Sequence, residues 1–248
     1  LRQVEAVTIT GPGAVDALKA LQKAGAKLQH CSVEQKVAAA LLSECGELCQ
    51  SLTSLELVDD TSRGSLMATV LLSPSSAFSS ISALLSSLPA RLPQLRVLRL
   101  SFPLQGQSGT TLLSSLPSLT ELEVCCDDGM PELSSAAPVL RKLSIRRAEL
   151  CRAAERARGL QLLEELRLSV ANFLQPTGSI KKALGNHNNN SGSSAAAIAG
   201  PFESLLQTLP SLRFLHVSTE EGSPDGAILV DLATALRNIG RARLQRLE

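Results

Sequence analysis

Apolar residues recur along this chain in one short phase: apolar, two variable, apolar, one variable, apolar. Its clearest instances are Leu95, Leu98 and Leu100; Leu119, Leu122 and Val124; Leu140, Leu143 and Ile145; Leu163, Leu166 and Leu168; and Leu212, Leu215 and Val217. The same phase runs through Val4, Val7 and Ile9, through Leu28, Cys31 and Val33, and through Leu52, Leu55 and Leu57, while Leu244 and Leu247 begin another. First positions fall at 4, 28, 52, 95, 119, 140, 163, 212 and 244, so five of the eight intervals are 21 to 24 residues. The closing apolar-variable-apolar triplet alternates with period two, which predicts a strand with one packed face and one wet face.

Between the triplets the spacing turns helical. Val15, Leu18 and Leu21 predict a helix that Gly25 stops. Val37, Leu41, Leu42, Cys45 and Leu48 predict one helix leading into the next strand, and a third is expected over 148–158, ended by Gly159. A strand with its return helix is too small to bury its own core, so neighbouring units must stack.

These units resemble the leucine-rich-repeat family, in an irregular form with intracellular-type repeats of about 21 to 24 residues. The resemblance covers nearly the whole chain. It implies an α/β leucine-rich-repeat solenoid of about eight or nine units, with a curved parallel β-sheet on the concave face and helices and turns on the convex face. The chain departs from the family where an Asn or Cys ordinarily stands three residues after the last strand leucine. Here that position holds Pro12, Asp60, Pro103, Asp127, Ala148, Ala171 and Glu220.

A single leucine-rich-repeat domain over 1–248 is expected, with two insertions. The first, 59–92, carries Leu71, Leu72, Phe78, Ile81, Leu84, Leu85 and Leu88 at roughly helical spacing and is expected to be ordered. The second, 172–210, contains a polar low-complexity tract at 185–199 that is expected to be mobile, then a helix at 200–209. Both ends of the sequence fall inside a repeat, which predicts that the chain is part of a longer protein.

Composition sharpens this picture in three ways. With 5 Phe and no Tyr or Trp, the core must be built from aliphatic side chains, which suits identical stacked layers. The 24 basic and 23 acidic residues leave a net charge of +1, so no nucleic-acid partner is expected. The 6 cysteines lack disulfide-framework spacing and are expected to be buried free thiols in a reducing, intracellular setting, the cytoplasm. No apolar run is long enough to span a membrane.

Signals for chemistry are thin. Thr10, Gly11, Pro12 and Gly13 follow a strand and precede a helix, as a phosphate loop would, but the third glycine and the Lys-Ser or Lys-Thr are missing. His30, Cys31, Cys45 and Cys49 invite a zinc site, yet His30 and Cys31 are adjacent on a strand and must face opposite ways. His30, His187 and His216 form no hydrolytic constellation, and no nucleophile elbow occurs. The expectation is a chain with no catalytic residues, no metal and no cofactor.

The informative surface is the open face of the sheet. Candidate partner-binding residues there are Glu56, Arg99, Glu121, Glu123, Lys142, Arg146, Arg167, Phe214 and His216. Arg99 can pair laterally with Glu56 and Glu123, since neighbouring strands lie about 4.8 Å apart. One account is a solvated face whose charges neutralise one another; the other is a surface that grips a protein partner. The expected function is a non-catalytic protein-interaction or assembly scaffold. Alternatives are the substrate-recognition array of a ubiquitin-ligase receptor, or a structural subunit of a large ribonucleoprotein or cytoskeletal complex.

Overall fold

The structure is a computed structural model that describes residues 3–58, 85–104, 106–125, 130–148, 156–170, 208–219 and 246–247. The chain divides into two compact units, Leu1–Leu140 and Arg141–Glu248. In the first, strands β1 (Gln3–Ile9), β2 (Lys27–Glu34), β3 (Ser54–Val58), β4 (Val97–Pro103) and β5 (Glu121–Cys125) pair in parallel and in chain order. In the second, β6 (Lys142–Ala148), β7 (Glu165–Val170), β8 (Phe214–Thr219) and β9 (Arg246–Leu247) do the same. The α/β arrangement with parallel strands is thus as the hydrophobic phase predicts.

Register keeps equivalent positions side by side. Leu28 neighbours Val4, Cys31 pairs with Leu55, Leu55 with Leu98 and Leu98 with Leu122. Leu143, Leu166, Leu215 and Leu247 form the matching row in the second unit. Register shifts between Arg99 and Pro103 on β4, and between Ile145 and Ala148 on β6, mark where this regularity lapses.

Helices return the chain in the first unit: α1 (Ala14–Lys23), α2 (Gln35–Glu44), α3 (Gly46–Gln50), α4 (helical over its described residues 85–91), α5 (Gly106–Ser114) and α6 (Leu133–Ala136). Helix α1 packs on α2, and α5 on α6, while α2 and α3 pack against β2. Leu18, Val37, Leu41, Leu48, Leu85 and Leu88 are buried with the strand leucines. At roughly 1.5–3 kcal/mol for each fully buried aliphatic side chain, this shared interior supplies the folding energy that a single unit lacks.

Strands β3 to β8 are entered through the same turn. The N–H of Leu95 donates to the carbonyl of Leu92 (3.2 Å), Leu119 to Leu116 (3.1 Å), Leu140 to Ala137 (3.2 Å), and Leu212 to Leu209 (3.2 Å). The second residue of these four turns is Pro93, Pro117, Pro138 or Pro210, the position where a fixed φ near −65° favours a β-turn. Cys49 to Leu52 and Leu160 to Leu163 close the same turn without proline. Past the turn, the carbonyls of Thr53, Arg96, Arg141 and Glu164 each accept two consecutive N–H groups from the following strand entry.

Two expected helices are corrected. The helix over Val37 to Leu48 is broken at Cys45 (φ −117°, ψ 47°), because swinging the chain there lets Cys45, Leu48 and Cys49 all reach the core. Of the helix expected over 148–158, Ala148 belongs to β6, 149–155 lie outside the described residues, and Arg156 and Ala157 are helical ahead of Gly159, which stands in the left-handed region (φ 81°) where the stop was expected. Of the expected insertions, 59–84 and 172–207 lie outside the described residues, as do the tract at 185–199 and most of the expected helix at 200–209.

Candidate functional site

Strand alternation sets the candidate surface. On β4, Leu98, Leu100 and Phe102 are buried while Val97, Arg99 and Ser101 are half-buried on the other side. On β7, Leu166 and Leu168 are buried and Arg167 is exposed between them. All nine candidate residues occupy the unburied phase of their strands. They fall into two groups, Glu56, Arg99, Glu121 and Glu123 in the first unit and Lys142, Arg146, Arg167, Phe214 and His216 in the second.

In the first unit, register brings Glu56, Arg99 and Glu123 into one row across β3, β4 and β5, with Glu121 beside Val97 two residues earlier. The Arg99 Nε lies 3.4 Å from Glu123 Oε2. Of the two lateral partners expected for Arg99, Glu123 is the one taken; among the described residues Glu56 makes no ion pair.

In the second unit, Lys142, Glu165, Phe214 and Arg246 share one row, and Ser144, Arg167 and His216 the next. Arg146 lies further along β6 and is exposed. Arg167 donates through Nε to Glu165 Oε1 at 2.6 Å, and its Nη2 lies 2.6 Å from the same oxygen. Phe214 is 38% exposed, a large apolar ring left in solvent. Lys142, Arg146 and Arg167 are all exposed on the strands of this unit. Arg141 and Glu164, just outside the strands, are joined at 2.6 Å.

Alternation with Leu166 already places Glu165 on this face; what the structure adds is that Glu165 holds the Arg167 guanidinium. Arg246 becomes a register neighbour of Phe214 because the short repeat begun at Leu244 does add a strand. Glu34, in the same strand phase, is not a surface group. It is 8% exposed, accepts the Gly11 N–H at 3.2 Å, and pairs with Lys36 Nζ at 3.0 Å.

That contact also disposes of the glycine-rich turn as a phosphate cradle, since a carboxylate takes the amide and would repel an anion. Gly11 and Gly13 serve conformation instead, with φ 85° and 89° leading into α1.

The thiols are positioned for packing. His30 is exposed and Cys31 buried, on opposite faces as adjacent strand residues must be. Cys31, Cys45, Cys49 and Cys125 are buried free thiols. Burial pushes the Cys31 thiol up to about 12, with Cys49 and Cys45 nearby adding to it, and pushes Cys49 up to about 11. Burial raises Cys45 as well. None of these three is a ready thiolate nucleophile at neutral pH. Among the described residues, no three His, Cys, Asp or Glu side chains converge as a metal site would require, and no helix is long and apolar enough to cross a membrane. No protein-family model matches the chain, and a search of curated proteins returns no significant match.

Proposed function

We propose that this chain is a leucine-rich-repeat solenoid acting as a non-catalytic scaffold for protein partners, and that the open face of its strands is the contact surface. The observation that carries this reading is the one-sided strand chemistry. Among the described residues, β3 to β8 bury their leucines, while Glu56, Arg99, Glu121, Glu123, Lys142, Ser144, Arg167, Phe214 and His216 stand between them on the other side. A surface built that way offers adjustable positions at a fixed strand spacing without touching the core, which is how stacked-repeat proteins present binding faces. Fold alone does not assign function, so the weight rests on this face.

The test is a pair of charge exchanges, each keeping its local ion pair. Arg99→Glu with Glu123→Arg inverts charge on the open face, and Lys19→Glu with Glu44→Lys does so on the helical side, where that pair sits at 2.6 Å. In affinity capture from native extract with mass spectrometry, a stoichiometric partner is expected with the wild type and the helical exchange and lost with the open-face exchange. Loss with the helical exchange alone, or capture of no stoichiometric partner, overturns the reading.

A further inference from the structure

Where the chain enters the strands of the second unit, arginines outnumber the carboxylates that could hold them. Arg141, Glu164 and Arg213 stand in one row, since Glu164 donates its N–H to the Arg141 carbonyl (2.8 Å) and Arg213 donates to the Glu164 carbonyl (2.9 Å). The Glu164 carboxylate closes on Arg141 at 2.6 Å, and Glu165, the next one along, holds Arg167. Arg213 is exposed and, like Arg156 and Arg158 ahead of the β7 entry turn, makes no ion pair among the described residues. In that turn Leu162 is 45% exposed, the most exposed large apolar side chain among the described residues. The turn itself does not call for it, because Gln94, Ser118 and Ser211 hold the same position elsewhere. The Ser211 hydroxyl donates to the Gln161 carbonyl at 2.7 Å and so ties the entry turn of β8, with Arg213 behind it, to the turn that carries Leu162.

We propose that this strand-entry edge of the second unit is a further contact surface, separate from the open face, and that it takes an acidic segment of a partner protein. The partner's carboxylates would meet the guanidiniums of Arg158 and Arg213, with Arg156 adding to the local positive field, and an aliphatic side chain of the partner would cover Leu162. Charge complementarity selects the occupant: Glu164 is already closed by Arg141, so the remaining cations attract a poly-acidic chain and repel a basic one. A guanidinium presents a planar fork that a carboxylate meets with two hydrogen bonds. A nucleic acid fits less well. Its phosphates would find the same guanidiniums, but among the described residues the edge offers no ring for a base to stack on, since Phe214 belongs to the open face, and Leu162 would stay in water. An anionic membrane fits less well too, because insertion scales with apolar area and one leucine supplies little.

Fluorescence anisotropy on the full chain tests this with labelled synthetic probes of about ten residues, roughly 33 Å when extended: a Glu/Leu peptide, an all-Glu peptide, a Lys/Leu peptide, and an oligothymidylate of equal length. Flotation with phosphatidylserine vesicles is run beside them. The Glu/Leu peptide is expected to bind best, and to weaken as ionic strength rises from about 0.05 to about 0.3 M. Arg158→Glu with Arg213→Glu is expected to weaken it by roughly tenfold or more, and Arg158→Lys with Arg213→Lys, which keeps the charge and loses the fork, by less. Lys23→Glu with Lys27→Glu, the same charge change in the first unit, is expected to leave it within about threefold. Leu162→Ser is expected to weaken the Glu/Leu peptide and spare the all-Glu one. Equal loss in the two charge-reversed double variants, no binding of the Glu/Leu peptide, tighter binding of the oligothymidylate, or vesicle binding without peptide binding overturns the proposal.

Discussion

Cys31 and His30 display what one residue of displacement does on a strand: the thiol is sealed at 3% exposure and the imidazole stands in solvent. Sealing makes the thiol a stability group. Its ordinary value is 9.0 and burial lifts it to about 12, so between those limits the unfolded chain gives up a proton that the folded chain keeps. Stability from this group is therefore complete below about pH 9 and drains away as pH climbs toward 12, by up to about 1.4 kcal/mol per pH unit. The chain has no Tyr to confuse the same range. Urea melts in reductant are expected to show wild type losing stability faster than Cys31→Ala above about pH 9; parallel slopes would mean that the thiol is not sealed. Gly25 makes a separate case. At φ 64° it ends α1, donating its N–H to the Gln22 carbonyl at 2.9 Å while Ala26 donates to Leu21 at 3.1 Å, the paired bonds of a Schellman stop. Gly25→Ala is expected to cost roughly 1–2 kcal/mol in the same melts, because a Cβ crowds the carbonyl in the left-handed region.

Strands were easier to read from the sequence than helices, for a physical reason. A strand's alternation is decided by residues two apart, so Leu98 and Leu100 announce β4 whatever surrounds them. The break between α2 and α3 depends on where the core lies relative to Cys45 and Cys49, which local spacing cannot express, and the lengthening of β6 to Ala148 depends equally on its neighbour. The shared entry turn was legible but unread: leucine, proline, any residue, leucine stands at Leu92, Leu116 and Leu209, and each closes its turn with one backbone hydrogen bond. Proline there restricts the unfolded chain more than the folded one. Pro117→Ala is expected to destabilise by roughly 0.4–1 kcal/mol with an unchanged circular dichroism spectrum, and no change in the urea midpoint would mean that the turn is formed without proline's help. Leu98→Ala, at a fully buried position beside Leu55 and Leu122, is expected to cost about 2–5 kcal/mol in the same assay.

Along the whole chain, what composition hides is arrangement. A net charge of +1 gives the sum and not the placement, since charged side chains of both signs stand between buried leucines on the open side of the strands. The candidate residues could be placed on that face from alternation alone. Which carboxylate Arg99 takes, and that Glu34 withdraws to hold Gly11, depend on side-chain reach across strands about 24 residues apart in sequence, which no local pattern encodes. The same one-dimensional order governs stability. Within each unit, among the described residues, strands pair in chain order with their neighbours alone, so a defect should be felt by neighbours and fade along the chain. Leu28 is fully buried on β2, and Leu28→Ala is expected to speed native-state amide exchange in β1, β2 and β3 while leaving β7 and β8 at their wild-type rates. A uniform acceleration in every strand would mean that the chain opens as one cooperative body, and that neighbour-by-neighbour stacking does not set its energetics.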